Sequence, residues 1–247
     1  MSKTLEIPMK ISSKTWSSSR VAGGLVLGAW AVMFWWLFIT GKVNLYLSTR
    51  TSWVVPVGAV LLTLAGLGRI AASRVRSPEP LERREAVVMA LMVVPVVLVM
   101  VLPPATLGTF SASKKTSFSS VKYSSIYDQI TTTSEITLLS IAAGQTSDDG
   151  SAALAKRAGS EVDFVGFVTR EPDTPADEFL LTRYVITCCV ADATIVQVRV
   201  VNVTPGQFTD NEWVEVKGQV YPLGREVIVN ATSVEKAPTP DKPYLSP

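Results

Sequence analysis

The 247-residue chain reads as a membrane protein with three N-terminal transmembrane α-helices and a C-terminal all-β domain, an OB-like five-stranded barrel. Three observations predict this. Three long apolar runs fill the first 102 residues, five short alternating segments follow residue 160, and the charge changes sign between the halves. Residues 1–122 carry fourteen Lys/Arg and four Asp/Glu, whereas 123–247 carry nine Lys/Arg and seventeen Asp/Glu. An acidic C-terminal half is a poor phosphate-binding surface, so nucleic acid is not an expected partner. Histidine is absent, which removes His-based triads, proton shuttles and the commonest zinc ligand from consideration.

The apolar runs are Val21–Ile39, Trp53–Ile70 and Ala86–Leu102. Each is near the roughly 20 residues that a helix needs to cross the hydrocarbon of a bilayer. The third is the shortest and contains Pro95, so a buried or re-entrant segment is its alternative. The first run is long and tryptophan-rich and lacks a small-residue cleavage site, which argues against a removed signal peptide. Lys3, Lys10, Lys14 and Arg20 precede span one, Arg69 sits at the end of span two, and Arg74, Arg76, Arg83 and Arg84 lie between spans two and three. Only Lys42 and Arg50 lie between spans one and two. Because Lys and Arg collect on the cytoplasmic side, the N-terminus should be inside and the C-terminal half outside the plasma membrane. Lys114, Lys115 and Lys122 weaken that contrast without reversing it. Trp16, Trp35, Trp36, Tyr46 and Trp53 sit near span ends, where amphipathic rings anchor in the headgroup layer. No acidic residue lies within a run, so the three spans make a poor ion pathway by themselves. Gly23, Gly24, Gly28, Gly58, Gly66 and Gly68 would permit close helix contact, or reflect the ordinary glycine content of membrane helices.

Pro103 and Pro104 end the third run, and residues 103–160 read as a polar linker with one short helix near Asp149–Ala158 capped by Asp148 or Asp149. The organisation expected is therefore an N-terminal arm at 1–20, spans within 21–102, this linker, a β domain at 161–237 and a Pro-rich tail at 238–247. The tail should be an extended strap or a free end. Strands are expected at Val162–Thr169, Phe179–Thr187, Thr194–Val203, Glu212–Tyr221 and Glu226–Ala237, each alternating and bounded by turn residues. Gly166 and Gly218 fall at mid-strand positions that permit sharp coiling, which suggests a small Greek-key barrel of the OB type, and an open five-stranded sheet or a sandwich fragment would look similar from sequence.

Cys188 and Cys189 are the only cysteines, with Asp192 three residues further on. At the end of a regular strand adjacent side chains point to opposite faces, so a shared site needs a bulge or turn at the pair. Three readings stay open. The pair is a buried thiol beside an exposed one, with Asp192 serving a turn. Alternatively Cys188, Cys189 and Asp192 contact a zinc-like ion, one ligand short of a closed structural site. The third reading is a vicinal disulfide, strained and suited to redox or conformational work.

The run Phe179–Ala193, the stretch Trp213–Tyr221 and the closing Lys242–Pro247 resemble the YcgQ-like family of two-component permease subunits, with its double-cysteine CCxADA motif. The stretch Gly41–Leu47 and the run from Pro103 to Lys115 resemble that family's short signatures at the same places, whereas Thr131–Gly159 has no recognisable counterpart. The resemblance implies a non-catalytic subunit working beside a multi-spanning permease of the YraQ or YcgR type, with a link to metal homeostasis, zinc in particular. It points to Arg183, Cys188, Cys189, Ala191 and Asp192 without assigning their roles. The rival expectation is a membrane-anchored OB-like module that binds an extracellular oligosaccharide or peptide through Phe164, Phe167, Tyr184, Trp213 or Tyr221. Without histidine or a recognisable nucleophile and base, no enzymatic constellation can be named.

Overall fold

The computed structural model describes residues 15–75, 80–102, 106–112, 135–145, 148–224 and 226–246. The prolines expected to end the third span, and Lys114, Lys115 and Lys122, lie outside the described residues. Two compact units are present: residues 1–40 with 53–104, and residues 41–52 with 105–247.

The first unit holds three helices long and apolar enough to cross a membrane: α1 Ser18–Ile39, α2 Val54–Ala71 and α3 Arg83–Val101. Helix α3 runs unbroken through Pro95. Only 6% of its apolar window is buried, which suits a lipid-facing span and not the core helix that its shorter length also allowed. Helices α1 and α2 approach closely where small residues face each other. A Cβ on Gly66 would lie 3.3 Å from the Gly24 carbonyl oxygen, and one on Gly24 would lie 3.2 Å from the Gly66 carbonyl oxygen. These two glycines therefore serve packing, whereas Gly28 and Gly68 have open space where a side chain would begin. Gly23 leaves the room taken by the Arg69 guanidinium, and the Trp30 indole donates to the Met92 carbonyl on α3 at 3.1 Å. At one end, β1 (Thr15–Trp16) pairs with β2 (Arg74–Val75), and Arg74 lies over the Trp16 ring at 4.9 Å.

The second unit is a closed barrel. Its strands are β3 Glu161–Thr169, β4 Phe179–Val185, β5 Thr194–Val201, β6 Trp213–Leu223 and β7 Glu226–Lys236. Their order is β3-β6-β7-β5-β4, closed by β3 pairing with β4 through Phe167–Thr169 and Leu180–Thr182. All these pairings are antiparallel except β5 with β7. Inward-facing Phe164, Leu181, Val198, Val216 and Val229 fill the interior, as the period-two pattern requires.

Closure depends on two glycines. A Cβ on Gly166 would stand 2.8 Å from the Thr182 carbonyl oxygen, where β3 crosses β4. A Cβ on Gly218 would run into the Asn230 carbonyl and stand 3.0 Å from the Ala231 Cα, at the register shift between β6 and β7. Bulges of this kind bend the strand and raise its twist.

The tail is a strap: β8 (Tyr244–Leu245) pairs in parallel with Tyr184 and Val185 of β4. Between α3 and the barrel, the described helices are the four-residue Thr109–Ala112 and two longer ones. Asp148–Ala155 begins with two acids in its first turn, close to where the sequence places it. Leu138–Gly144 lies inside the stretch read as linker, and its Leu138, Ile141, Ala142 and Ala143 join the barrel core. Its start is a capping box in which Ser140 N–H donates to Thr137 Oγ1 (3.1 Å) and Thr137 N–H donates to Ser140 Oγ (2.8 Å). Serine stands where the usual signature has Glu or Gln, which hid the helix in the sequence.

Candidate functional site

Strand β4 stops at Val185, two residues earlier than its sequence pattern suggests, and the cysteines fall in the bend that follows. Ile186 N–H still donates to the Leu245 carbonyl of the strap at 2.9 Å. Beyond it the backbone leaves the sheet, and Asp192 takes over as organiser. Its Oδ1 accepts from Thr187 N–H at 3.0 Å and its Oδ2 from Cys188 N–H at 2.7 Å. The intervening Val190–Asp192 is a single 3-10 turn, with Asp192 N–H donating to the Cys189 carbonyl at 3.1 Å. This is the turn that a shared site required. Both sulfurs emerge on the same side, with Sγ–Sγ 3.7 Å, both thiols free, Cys188 exposed and Cys189 half-buried.

The electrostatics follow from that clamp. Hydrogen bonding to the Asp192 carboxylate, then to Cys189, pushes the Cys188 thiol up from an ordinary 9.0 to about 11. Partial burial pushes the Asp192 carboxyl upward, but hydrogen bonds from the Cys188 thiol and from the Cys188, Thr187 and Cys189 amides outweigh it and hold the group below its usual value. A thiol this weakly acidic is a poor nucleophile and a poor metal ligand until it loses its proton.

Among the described residues no group of three or more His, Cys, Asp or Glu is placed to hold a metal ion. Cys188, Cys189 and Asp192 are close together, and each Asp192 carboxylate oxygen accepts one backbone amide. They are three donors, one short of a closed structural zinc site.

Sequence reasoning did not foresee what covers the corner. Residues 41–52, which join α1 to α2, are part of the barrel's compact unit. Ser48 N–H donates to the Cys188 carbonyl at 3.1 Å, and the Thr51 hydroxyl donates to the same oxygen at 2.6 Å. Val190 N–H donates to the Tyr46 carbonyl at 3.0 Å, and Leu47 forms an antiparallel bridge with Cys189. Ser48 is 1% exposed, and its hydroxyl lies 3.0 Å from that of Ser246 in the tail. The corner is thus a junction of three distant segments: the double-cysteine turn, the loop between the first two spans and the end of the tail. The only signal for this was that Gly41–Leu47 and the closing Lys242–Pro247 were among the stretches carrying the family resemblance.

Arg183 is not at this junction. Its guanidinium spans the gap where β3 and β4 diverge, donating to the Val165 carbonyl (2.9 Å), the Pro243 carbonyl (3.0 Å) and the Lys242 carbonyl (2.8 Å). It also lies over the Trp213 ring at 5.4 Å. Burial lowers its pKa, yet the group stays charged because its ordinary value is so high. Its work is to tie the strap to the barrel. Ala191 is exposed within the 3-10 turn.

Of the aromatics available to a binding face, Phe164, Phe167 and Tyr184 are core residues, Trp213 lies under Arg183, and Tyr221 is exposed. A cavity of about 730 Å³ runs beside β3, with Arg183, Lys217 and Asp163 in its wall. Its cations are engaged within the protein, Arg183 by backbone carbonyls and Lys217 by Glu215 at 2.9 Å and Asp163 at 3.8 Å.

No curated protein and no solved structure matches the chain. Residues 113–247, more than half of it, match the family model for the DUF1980 C-terminal domain. That match spans the barrel, the double-cysteine turn and the strap, and the chain belongs to the DUF1980 family.

Proposed function

We propose that this protein is a non-catalytic accessory subunit of a membrane permease, with a cytoplasmic N-terminus and an extracytoplasmic β domain. It is a membrane-anchored module: three apolar helices joined in one chain to a closed barrel. The observation that carries the reading is how the connecting segments alternate. The N-terminal Thr15–Trp16 pairs with Arg74–Val75 between spans two and three, while residues 41–52 between spans one and two belong to the barrel's unit. That alternation is what three complete crossings require. The arginine-rich segments then fall together on the N-terminal side, which is the cytoplasmic side by the usual bias.

The apolar runs contain no acidic residue, so a permeation path has to come from a partner. The YcgQ-like resemblance supplies the partner's class, a multi-spanning permease of the YraQ or YcgR type. In this reading zinc is cargo of the assembly and not a resident ion of the cysteine turn. Co-expression with such a permease and extraction in mild detergent tests it. The two chains should co-purify in a fixed ratio, and a stable monomer under those conditions contradicts the proposal.

A further inference from the structure

We propose that Cys188 and Cys189 form a reversible two-electron redox site, and that joining their sulfurs unseats the 41–52 segment from the β domain. The thiols are adjacent, free and 3.7 Å apart, with Cys188 exposed to an incoming oxidant. A disulfide of an oxidoreductase or of a small thiol is the oxidant class. Once one cysteine has lost its proton, its thiolate attacks a sulfur of the oxidant, breaks the oxidant's S–S bond and expels the first thiol. The neighbouring cysteine then attacks the resulting mixed disulfide and expels the second. An Sγ–Sγ bond forms, two S–H bonds are lost, and the two protons and two electrons end on the two thiols released.

The geometry makes this step expensive in one place. Adjacent Cα atoms across a trans peptide are fixed about 3.8 Å apart, below the usual disulfide range of about 4.4–6.8 Å. The sulfurs, 3.7 Å apart, must close to about 2 Å. With the Cα spacing fixed, that closure turns the plane of the Cys188–Cys189 peptide through the torsions on either side of it. Its carbonyl oxygen is the acceptor for Ser48 N–H and the Thr51 hydroxyl, and Cys189 carries the bridge to Leu47. Turning that peptide withdraws the acceptor from both donors at once. Oxidation state is thereby coupled to the seating of the segment that covalently joins α1 to α2, and reduction restores it. This chemistry goes beyond the permease-subunit reading and does not depend on which side of the membrane carries the barrel.

The test uses the purified full chain in detergent, treated with the azo oxidant diamide and then with dithiothreitol. The peptide containing both cysteines should lose about 2 Da, the mass of two hydrogens, without dimer formation. Amide exchange at Ser48 and Val190 should rise about tenfold in the oxidised protein and return on reduction. Cys188→Ser and Cys189→Ser proteins, each altered at a side chain that is not fully buried, should show neither change. An intermolecular dimer, no mass loss, or an internal disulfide with unchanged exchange at Ser48 and Val190 would each overturn the inference. Co-purification with a permease is a separate readout, so failure of either proposal leaves the other standing.

Discussion

Asp192 sets the shape of the double-cysteine turn because its carboxylate satisfies two amides that the ended strand leaves open. Replacing it with Asn removes the charge and leaves one oxygen for two donors. The Cys188 thiol should then fall from about 11 toward its ordinary 9.0, and its alkylation rate at pH 8 should rise several-fold in Asp192→Asn, measured with a maleimide reagent. An unchanged rate would mean that the carboxylate does not hold the thiol proton. The pH dependence has a defined sign. A carboxyl held below its ordinary value stabilises the folded turn above the unfolded value of 3.8 and loses that contribution as pH falls through its lower folded value. At this scale the sequence was half legible. It brought Cys188, Cys189 and Asp192 into one local group, and it named a turn as the condition for the sulfurs to meet. The partners of the turn were illegible, because Ser48 and Thr51 are separated from it by chain length that no local pattern spans. Arg183 stood out only through the resemblance, and its backbone-carbonyl partners leave no signature in side-chain chemistry.

The elements were legible where periodicity is strong. Each of the five expected strands of the barrel forms within two residues of its sequence boundaries, and the three apolar runs become α1, α2 and α3. The helix Leu138–Gly144 was missed because seven residues are too few for a helical period to show and its capping serine mimics linker composition. The mid-strand glycines had a meaning that sequence could suggest but not locate. Gly218 sits where β6 and β7 slip register, with backbone atoms of Asn230 and Ala231 in the space a side chain would need. Backbone cannot move aside as a side-chain tip can. Gly218→Ala should therefore destabilise the barrel by about 1–3 kcal/mol, the usual cost of overpacking, and lower its melting temperature. An unchanged melt would show that the bulge can absorb a methyl group.

For the whole molecule, the division into anchor and barrel was readable from hydropathy and charge alone, whereas the attachment of residues 41–52 to the barrel's unit was not. That attachment constrains topology, since a segment hydrogen-bonded to the double-cysteine turn has to be on the barrel's side of the bilayer. Single cysteines in a Cys188→Ser, Cys189→Ser background probe this directly with a membrane-impermeant maleimide on intact cells. The exposed Arg50, Glu171 and Glu82 report in turn on the first loop, the β domain and the second loop. Arg50→Cys and Glu171→Cys should label from outside, with Glu82→Cys labelling only after the cells are permeabilised. Labelling of Glu82→Cys from outside, or opposite behaviour of Arg50→Cys and Glu171→Cys, would contradict the account.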